Sequence, residues 1–375
     1  MRDATRPSLA HAKRLVIKIG SALVVDPEQA APRQAWLASV AEDIAMLRRQ
    51  GTAVSVVSSG AIALARHCLG LTGRALRLPE KQAAAAVGQI KLAQAWSNAL
   101  SAQGLTAAQL LLTPDDTEDR RRYLNARATL TTLLDLGCIP VINENDTIAT
   151  TEIRFGDNDR LAARVAQMTE ADQLVLLSDI DGLYTADPRT NPAARHLPVI
   201  ESLTPEIEAM GGEPPPGYSS GGMRTKLLAA GIATRSGCAM AIALGKTLNP
   251  LRALMEGAQC SWFLPQPHAH TARKQWIAGS LNPVGEIVVD AGAAKALQHG
   301  GSLLPAGVVE VRGAFSQGDL VDVVSASGRI LAHGLAAYDA EDARRIAGHQ
   351  STEVANILGR SGRDELIHRD DLVVL

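Results

Sequence analysis

The sequence predicts an α/β fold, with helices packed on a mostly parallel central sheet and a small β-rich, barrel-like domain after it. Three observations carry this. First, short apolar runs recur (residues 14–19, 53–57, 138–142 and 173–177), each of buried-strand length, with helix-period segments between them. Second, each run ends in small polar or acidic residues. Third, beyond Ser261 the pattern changes to short strand-like stretches separated by glycines, as in residues 285–289, 308–311 and 320–324. The chain has 375 residues, 46% hydrophobic and 20% charged, enough for two packed cores. The expected organisation is a flexible segment over 1–13, a first domain over 14–264, a linker over 265–272 and a second domain over 273–375.

Composition excludes several function classes. A formal net charge of −2 provides no global attraction to nucleic acid or anionic lipid. Aromatic residues are only 3%, so the core must be aliphatic and alanine-rich. Cys68, Cys138, Cys238 and Cys260 lie far apart with no C-x-x-C pair, which argues against a zinc site or disulfide framework and fits a reducing compartment. The first residues contain no apolar signal core, and no apolar run approaches the roughly 18–20 residues of a membrane span. A soluble, cytoplasmic protein is expected.

In chain order, the first strand contains Lys18 and ends in Gly20-Ser21. A lysine in an apolar strand either reaches solvent from a sheet edge or is paired in a cavity. Residues 34–50 have helical spacing and stop at Gly51. Residues 53–57 form a strand that passes through Ser58-Ser59-Gly60 into a helix. A strand, a Gly-Ser turn and a helix N-terminus form either a plain turn or an anion cradle. An alanine-rich helix over 80–103 and a strand over 109–112 follow. Thr113-Pro114-Asp115-Asp116 then opens a helix carrying Arg120-Arg121-Arg122, a triplet that reads as a solvated face beside acidic neighbours.

The densest polar chemistry follows the strand over 138–142. Asn143-Glu144-Asn145-Asp146 comes directly after it, and Gly156-Asp157-Asn158-Asp159 opens the next helical run. In open α/β sheets, ligands bind at the carboxyl ends of strands. The strand over 173–177 ends in Ser178-Asp179. Residues 190–218 read as irregular, with Pro214-Pro215-Pro216 as a rigid spacer. Ser219 to Lys226 form a glycine-rich loop before a helix over 227–236, where a cationic side chain, backbone amides and a helix dipole converge on a phosphate-binding geometry. Gly245-Lys246-Thr247 imitates a P-loop tail, but the required first glycine falls at Met240.

If the sheet is mostly parallel, these strand ends meet at one edge. One half is basic and rich in amides, suited to phosphates. The other is polar with carboxylates, suited to a small ligand bearing an ammonium group. Nucleotide-dependent phosphoryl transfer to a small amino acid accounts for both halves, since it needs positioning and charge neutralisation rather than a covalent nucleophile. A carboxylate acceptor is ionised at neutral pH and needs no general base.

The ordered set Val16-Ile17-Lys18-Ile19-Gly20, Val57-Ser58-Ser59-Gly60-Ala61-Ile62, Val141-Ile142-Asn143-Glu144-Asn145-Asp146, Gly156-Asp157-Asn158-Asp159, Leu183-Tyr184-Thr185-Ala186-Asp187-Pro188 and Gly221-Gly222-Met223-Arg224-Thr225-Lys226 closely resembles the glutamate 5-kinase family. The resemblance covers nearly the whole chain. It implies a three-layer αβα amino-acid-kinase-like fold and a C-terminal PUA-like barrel, with Trp276-Ile277-Ala278-Gly279 and Arg344-Arg345-Ile346-Ala347-Gly348-His349 as pieces of the latter.

It further implies ATP and Mg²⁺, L-glutamate as acceptor and L-glutamate 5-phosphate as product, the first step of proline biosynthesis. Lys18 and Lys226 would stabilise the transferring phosphoryl group, and Asp159 would orient those lysines or help organise Mg²⁺, otherwise held by the ATP phosphates. Ser59 with Gly60, Asp146 and Asn158 would bind the substrate, with Asp157 and Asn143 close by. Lys18, Ser178, Asp179, Ser220, Gly221, Gly222, Met223, Arg224, Thr225 and Lys226 would bind ATP. Feedback inhibition by proline and assembly into a dimer or tetramer are also implied. Two alternatives stay open. One is a sibling kinase of the same fold acting on acetylglutamate, aspartate, carbamate or UMP. The other is an RNA-binding protein acting through the PUA-like part, although residues 273–375 hold ten basic and thirteen acidic side chains, a net of −3.

Overall fold

The structure is a computed structural model. It describes residues 6–26, 28–148, 158–212, 222–266, 283–360 and 362–375. The chain divides into two compact units, Met1–Ala269 and His270–Leu375.

The main elements of the first unit alternate as their apolar periods predict. They are β1 (Arg14–Ile19), α1 (Gln34–Arg49), β2 (Ala53–Ser58), α2 (Ala61–Arg66), α3 (Leu78–Ser101), β3 (Ala107–Leu112), α4 (Arg120–Asp135), β4 (Ile139–Glu144), α5 (Asn158–Met168), β5 (Gln173–Ser178), β6 (Val199–Ile200), α6 (Met223–Arg235), β7 (Ala239–Leu244) and β8 (Cys260–Phe263). Among the described residues they form an eight-stranded sheet in the order β6-β8-β7-β5-β1-β2-β4-β3. Pairing is parallel from β7 through to β3, and β8 runs antiparallel to β7.

The two-residue period of β1 separates the layers. Leu15, Ile17 and Ile19 pack with Trp36, Leu37, Leu92 and Trp96 from α1 and α3. Val16, with Leu174 and Leu176 of β5, packs on the other face against Leu161, Val165, Leu227 and Ala230 of α5 and α6. Two helical layers therefore enclose one sheet. Lys18 has the parity of Val16 and faces α5 and α6. Because β1 lies between β2 and β5, the solvent-reaching edge lysine is ruled out, and Lys18 is 7% exposed.

Several elements differ from the sequence expectation. Asn143 and Glu144 are the last residues of β4 and are buried, because pairing with β3 carries the strand past its apolar part. Helix α6 begins at Met223, so Thr225 and Lys226 occupy its first turn and not a loop. The region expected to be irregular contains β6, which joins the sheet through β8, and a short helix over Pro205–Ala209 capped by the Thr204 hydroxyl. Pro214-Pro215-Pro216 lies outside the described residues. In place of a free N-terminal segment, residues 6–13 pack onto the first unit. Leu9 and Ala12 are buried there, and the Arg6 guanidinium donates to the Ala258 carbonyl. Arg122 pairs with Asp115 at 3.6 Å and Asp116 at 3.4 Å, the acidic neighbours expected for that face.

The second unit contains β9 (Gly285–Val289), β10 (Val308–Gly313), β11 (Leu320–Ser325), β12 (Ile330–Leu335) and β13 (Leu372–Val374). They form a five-stranded sheet in the order β10-β9-β11-β12-β13. Its core combines Ile287, Val289, Val321, Val323 and Ala332 with Ala343 and Ile346 of the helix Ala340–Ile346. The recognisable piece at residues 276–279 lies outside the described residues. No helix among the described residues is long and apolar enough to cross a membrane.

Helix α3 crosses very close to the turn after β2. A Cβ built on Gly88 would sit 1.7 Å from the Ala61 carbonyl oxygen, which is backbone and cannot swing aside. Gly88→Ala is therefore expected to lower unfolding free energy by about 1–3 kcal/mol, the usual range for overpacking. Urea denaturation checks this; an unchanged midpoint would show that the crossing is not tight.

Candidate functional site

Parallel pairing aligns the carboxyl ends of the central strands. Lys18 pairs across to Val57 and Leu176, Ile19 to Ser58, and Leu244 to Ser178. The residues just beyond β1, β2, β4 and β5 thus lie along one edge, as the ligand-binding rule for such sheets requires.

The centre of this edge is Asp159, in the first turn of α5 and 0% exposed. Its Oδ1 lies 2.6 Å from the Lys18 ammonium and its Oδ2 lies 3.0 Å from that of Lys226. The Thr225 hydroxyl donates to Oδ2 at 3.1 Å. Two distant segments, β1 and α6, therefore converge on the carboxylate of a third, α5. Burial by itself pushes this carboxyl up, but the charges and hydrogen bonds of Lys18 and Lys226 outweigh it and hold it below the usual carboxylate range. Two cations on one anion leave net positive charge at the N-terminal ends of α5 and α6. The helix dipoles add to it there, so the arrangement favours an anionic group.

Beside this centre lies a chain of amides. The Asn158 side-chain NH₂ donates to the Ser59 hydroxyl at 2.8 Å and to Asn143 Oδ1 at 2.8 Å. Asn143 Oδ1 also accepts the Glu144 backbone N–H at 2.9 Å, and Asn143 Nδ2 donates to Gln89 Oε1 at 2.9 Å. Ser59 is held by its own N–H, which donates to the Ile19 carbonyl at 3.0 Å. Gly60 supplies the turn at φ 127°, a left-handed-side value suited to glycine, and leads directly into α2. Asp146 is half-buried in the turn after β4.

Among the residues expected at the nucleotide, Ser178 is buried at the end of β5 and its hydroxyl donates to exposed Asp179 at 3.2 Å. The Gly222 N–H donates to Thr225 Oγ1 at 3.2 Å at the start of α6, while Met223 is half-buried and Arg224 exposed. Asp157, Ser220 and Gly221 lie outside the described residues.

Gln89 was not among the expected site residues. Its one sequence signal is a polar residue heading the stripe of α3 that continues as Leu92 and Trp96, both 0% exposed. Trp96 reaches the same turn, its indole N–H donating to the Ser58 hydroxyl at 2.9 Å.

Among the described residues no cluster of three or more His, Cys, Asp or Glu side chains could hold a metal ion. Each Asp159 oxygen already faces an ammonium group, which suits an orienting role and does not fit a direct metal ligand. The four cysteines are free, and burial pushes the Cys238 and Cys260 thiols up, away from the reactive thiolate.

Residues 13–243 match the model of the amino acid kinase family, and residues 285–358 match that of the PUA domain. The chain is 66% identical over 371 residues to a "Glutamate 5-kinase" of Gluconobacter oxydans (strain 621H), covering 99% of this chain and 98% of that protein. It is 60% identical over 366 residues to a "Glutamate 5-kinase" of Paramagnetospirillum magneticum, covering 98% and 99%. In fold it is similar to the UMP kinase of Bacillus anthracis, with a TM-score of 0.50 and 17% identity over 68% of this chain and 97% of that one.

Replacing Asp159 by Asn strands two buried ammonium groups. The expected loss is about 3–5 kcal/mol of unfolding free energy near neutral pH. Because the folded carboxyl titrates below its unfolded value of about 3.9, its contribution is complete above about pH 4 and is lost as pH falls through the folded value. The stability gap between native protein and Asp159→Asn, followed by urea titration, should narrow on acidification below about pH 4. A gap independent of pH would separate the carboxylate from this role.

Proposed function

Because the chain belongs to the amino acid kinase family, we infer that it transfers the γ-phosphoryl group of ATP to the γ-carboxylate of L-glutamate, forming L-glutamate 5-phosphate. The full-length identity to glutamate 5-kinases carries the choice of acceptor. The observation that carries the chemistry is the convergence of Lys18 and Lys226 on buried Asp159, next to the hydrogen-bonded side chains of Asn158, Asn143 and Ser59.

In the reaction, a carboxylate oxygen of glutamate attacks the γ-phosphorus. That P–O bond forms as the bond to the bridging β,γ-oxygen breaks, and ADP departs. No proton has to be removed from the acceptor. Lys18 and Lys226 supply fixed positive charge where negative charge builds on the moving phosphoryl group and its bridging oxygens. Asp159 holds both ammonium groups in place. Ser59, Gly60, Asn143, Asp146, Asp157 and Asn158 make the acceptor pocket, in which the amides and hydroxyl suit carboxylate oxygens and the acids suit the α-ammonium. Ser178, Asp179 and residues 220–226 hold the nucleotide.

Magnesium, when bound, neutralises phosphate charge. With Asp159 committed to two lysines, the ATP phosphates are the ligands we assign to it. The product's place in proline formation supports inhibition by proline, and we expect a cytoplasmic homo-oligomer.

An ATP-dependent hydroxamate assay traps the acyl phosphate. Hydroxamate should form with glutamate and not with acetylglutamate or aspartate, and ADP release should show no phosphorylation of carbamate or UMP; failure with glutamate defeats the proposal. Lys226→Ala should lower kcat by about 10²–10³ while the protein stays folded by circular dichroism. Near-native turnover would remove Lys226 from the phosphoryl site. Asp146→Ala should chiefly raise the KM for glutamate, and an unchanged KM would take Asp146 out of the pocket.

A further inference from the structure

We propose that Gln89 is a positioning residue that braces Asn143, and through it the amide of Asn158, in the acceptor pocket; this rests on the glutamate reading above. The backbone N–H of Glu144 can only donate, and it points at one side-chain atom of Asn143 at 2.9 Å. That atom must be the amide oxygen. The other end of Asn143 is then NH₂ and requires an acceptor, which Gln89 Oε1 provides at 2.9 Å. With Asn143 Oδ1 fixed, the amide of Asn158 must turn its NH₂ towards both Asn143 and Ser59, at 2.8 Å each. Two consequences reach the ligand. Ser59 Oγ accepts from the protein, so its proton is free for a substrate carboxylate. Asn158 Oδ1 is the end left to accept from an ammonium group.

Without an acceptor at Gln89, the NH₂ of buried Asn143 is left without its hydrogen bond while the Glu144 N–H still holds the oxygen end. The Asn143 side chain, and the Asn158 amide that leans on it, then lose their fixed position. Gln89 is held in position by the tight crossing at Gly88, which brings α3 against the Ala61 carbonyl, and by the buried Leu92 and Trp96 on the following turns.

The test compares Gln89→Met, of similar length but with no strong acceptor, with Gln89→Glu, which keeps an acceptor towards Asn143. Steady-state kinetics are measured on the full chain with glutamate and ATP varied separately. Gln89→Met should raise the KM for glutamate about tenfold, the effect of one buried unmade hydrogen bond. The KM for ATP should stay within about twofold and the melting temperature within a few degrees. Gln89→Glu should lie closer to native than Gln89→Met. A glutamate KM within about twofold of native in Gln89→Met overturns the proposal. So does a parallel rise in both KM values, or a Gln89→Glu variant no better than Gln89→Met. The native enzyme in the same assay keeps the two ideas apart: no turnover of glutamate there refutes the acceptor assignment itself, whereas native turnover with an unmoved Gln89→Met refutes only the relay.

Discussion

The site depends on one buried triad of charges, the Asp159 carboxylate between the ammonium groups of Lys18 and Lys226. A lone lysine within a central strand would carry a heavy desolvation cost, and so would a carboxylate at 0% exposure. Each makes the others tolerable. The stoichiometry also matters, because two cations on one anion leave the site electropositive. The triad therefore supports the fold and favours an anionic group through the same charges.

The surrounding architecture aims these groups. Parity on β1 directs Lys18 to the face covered by α5 and α6, and the packing of those two helices brings their first turns together. The opposite layer serves the other half of the site. Helix α3 contacts the turn after β2 through Gly88 and Trp96 and the end of β4 through Gln89, so the amide chain is braced by a helix that contributes little charge to it. The cationic centre and the amide chain thus meet at the sheet edge on adjacent residues of α5, Asp159 and Asn158, with the far end of the chain held from the opposite layer by Gln89.

Legibility in the sequence followed locality. The alternation of strands and helices, the polar residues at strand ends and the second, strand-rich unit were all evident, since each depends on contacts a few residues apart. Boundaries were less evident where tertiary contacts extend an element. The pairing of β3 with β4 carries that strand through Asn143 and Glu144. The Gly222 N–H, donating to Thr225 Oγ1, starts α6 earlier than its apolar pattern suggests. A two-residue strand, β6, was not visible in the sequence because it exists only through its partner β8.

By itself, the amino-acid sequence determined the alternation of the main strands and helices and the chemistry placed at each strand end. Those follow from backbone geometry and side-chain period, which are properties of short segments. Only the tertiary structure decided that β1 is central, that Thr225 shares Asp159 with both lysines, and that Gln89 joins the chain of amides beside Ser59 through Asn143. These pairings join residues as far apart as Asn158 and Ser59. No local preference encodes them, because the order of strands in a sheet is selected by the packing of whole faces.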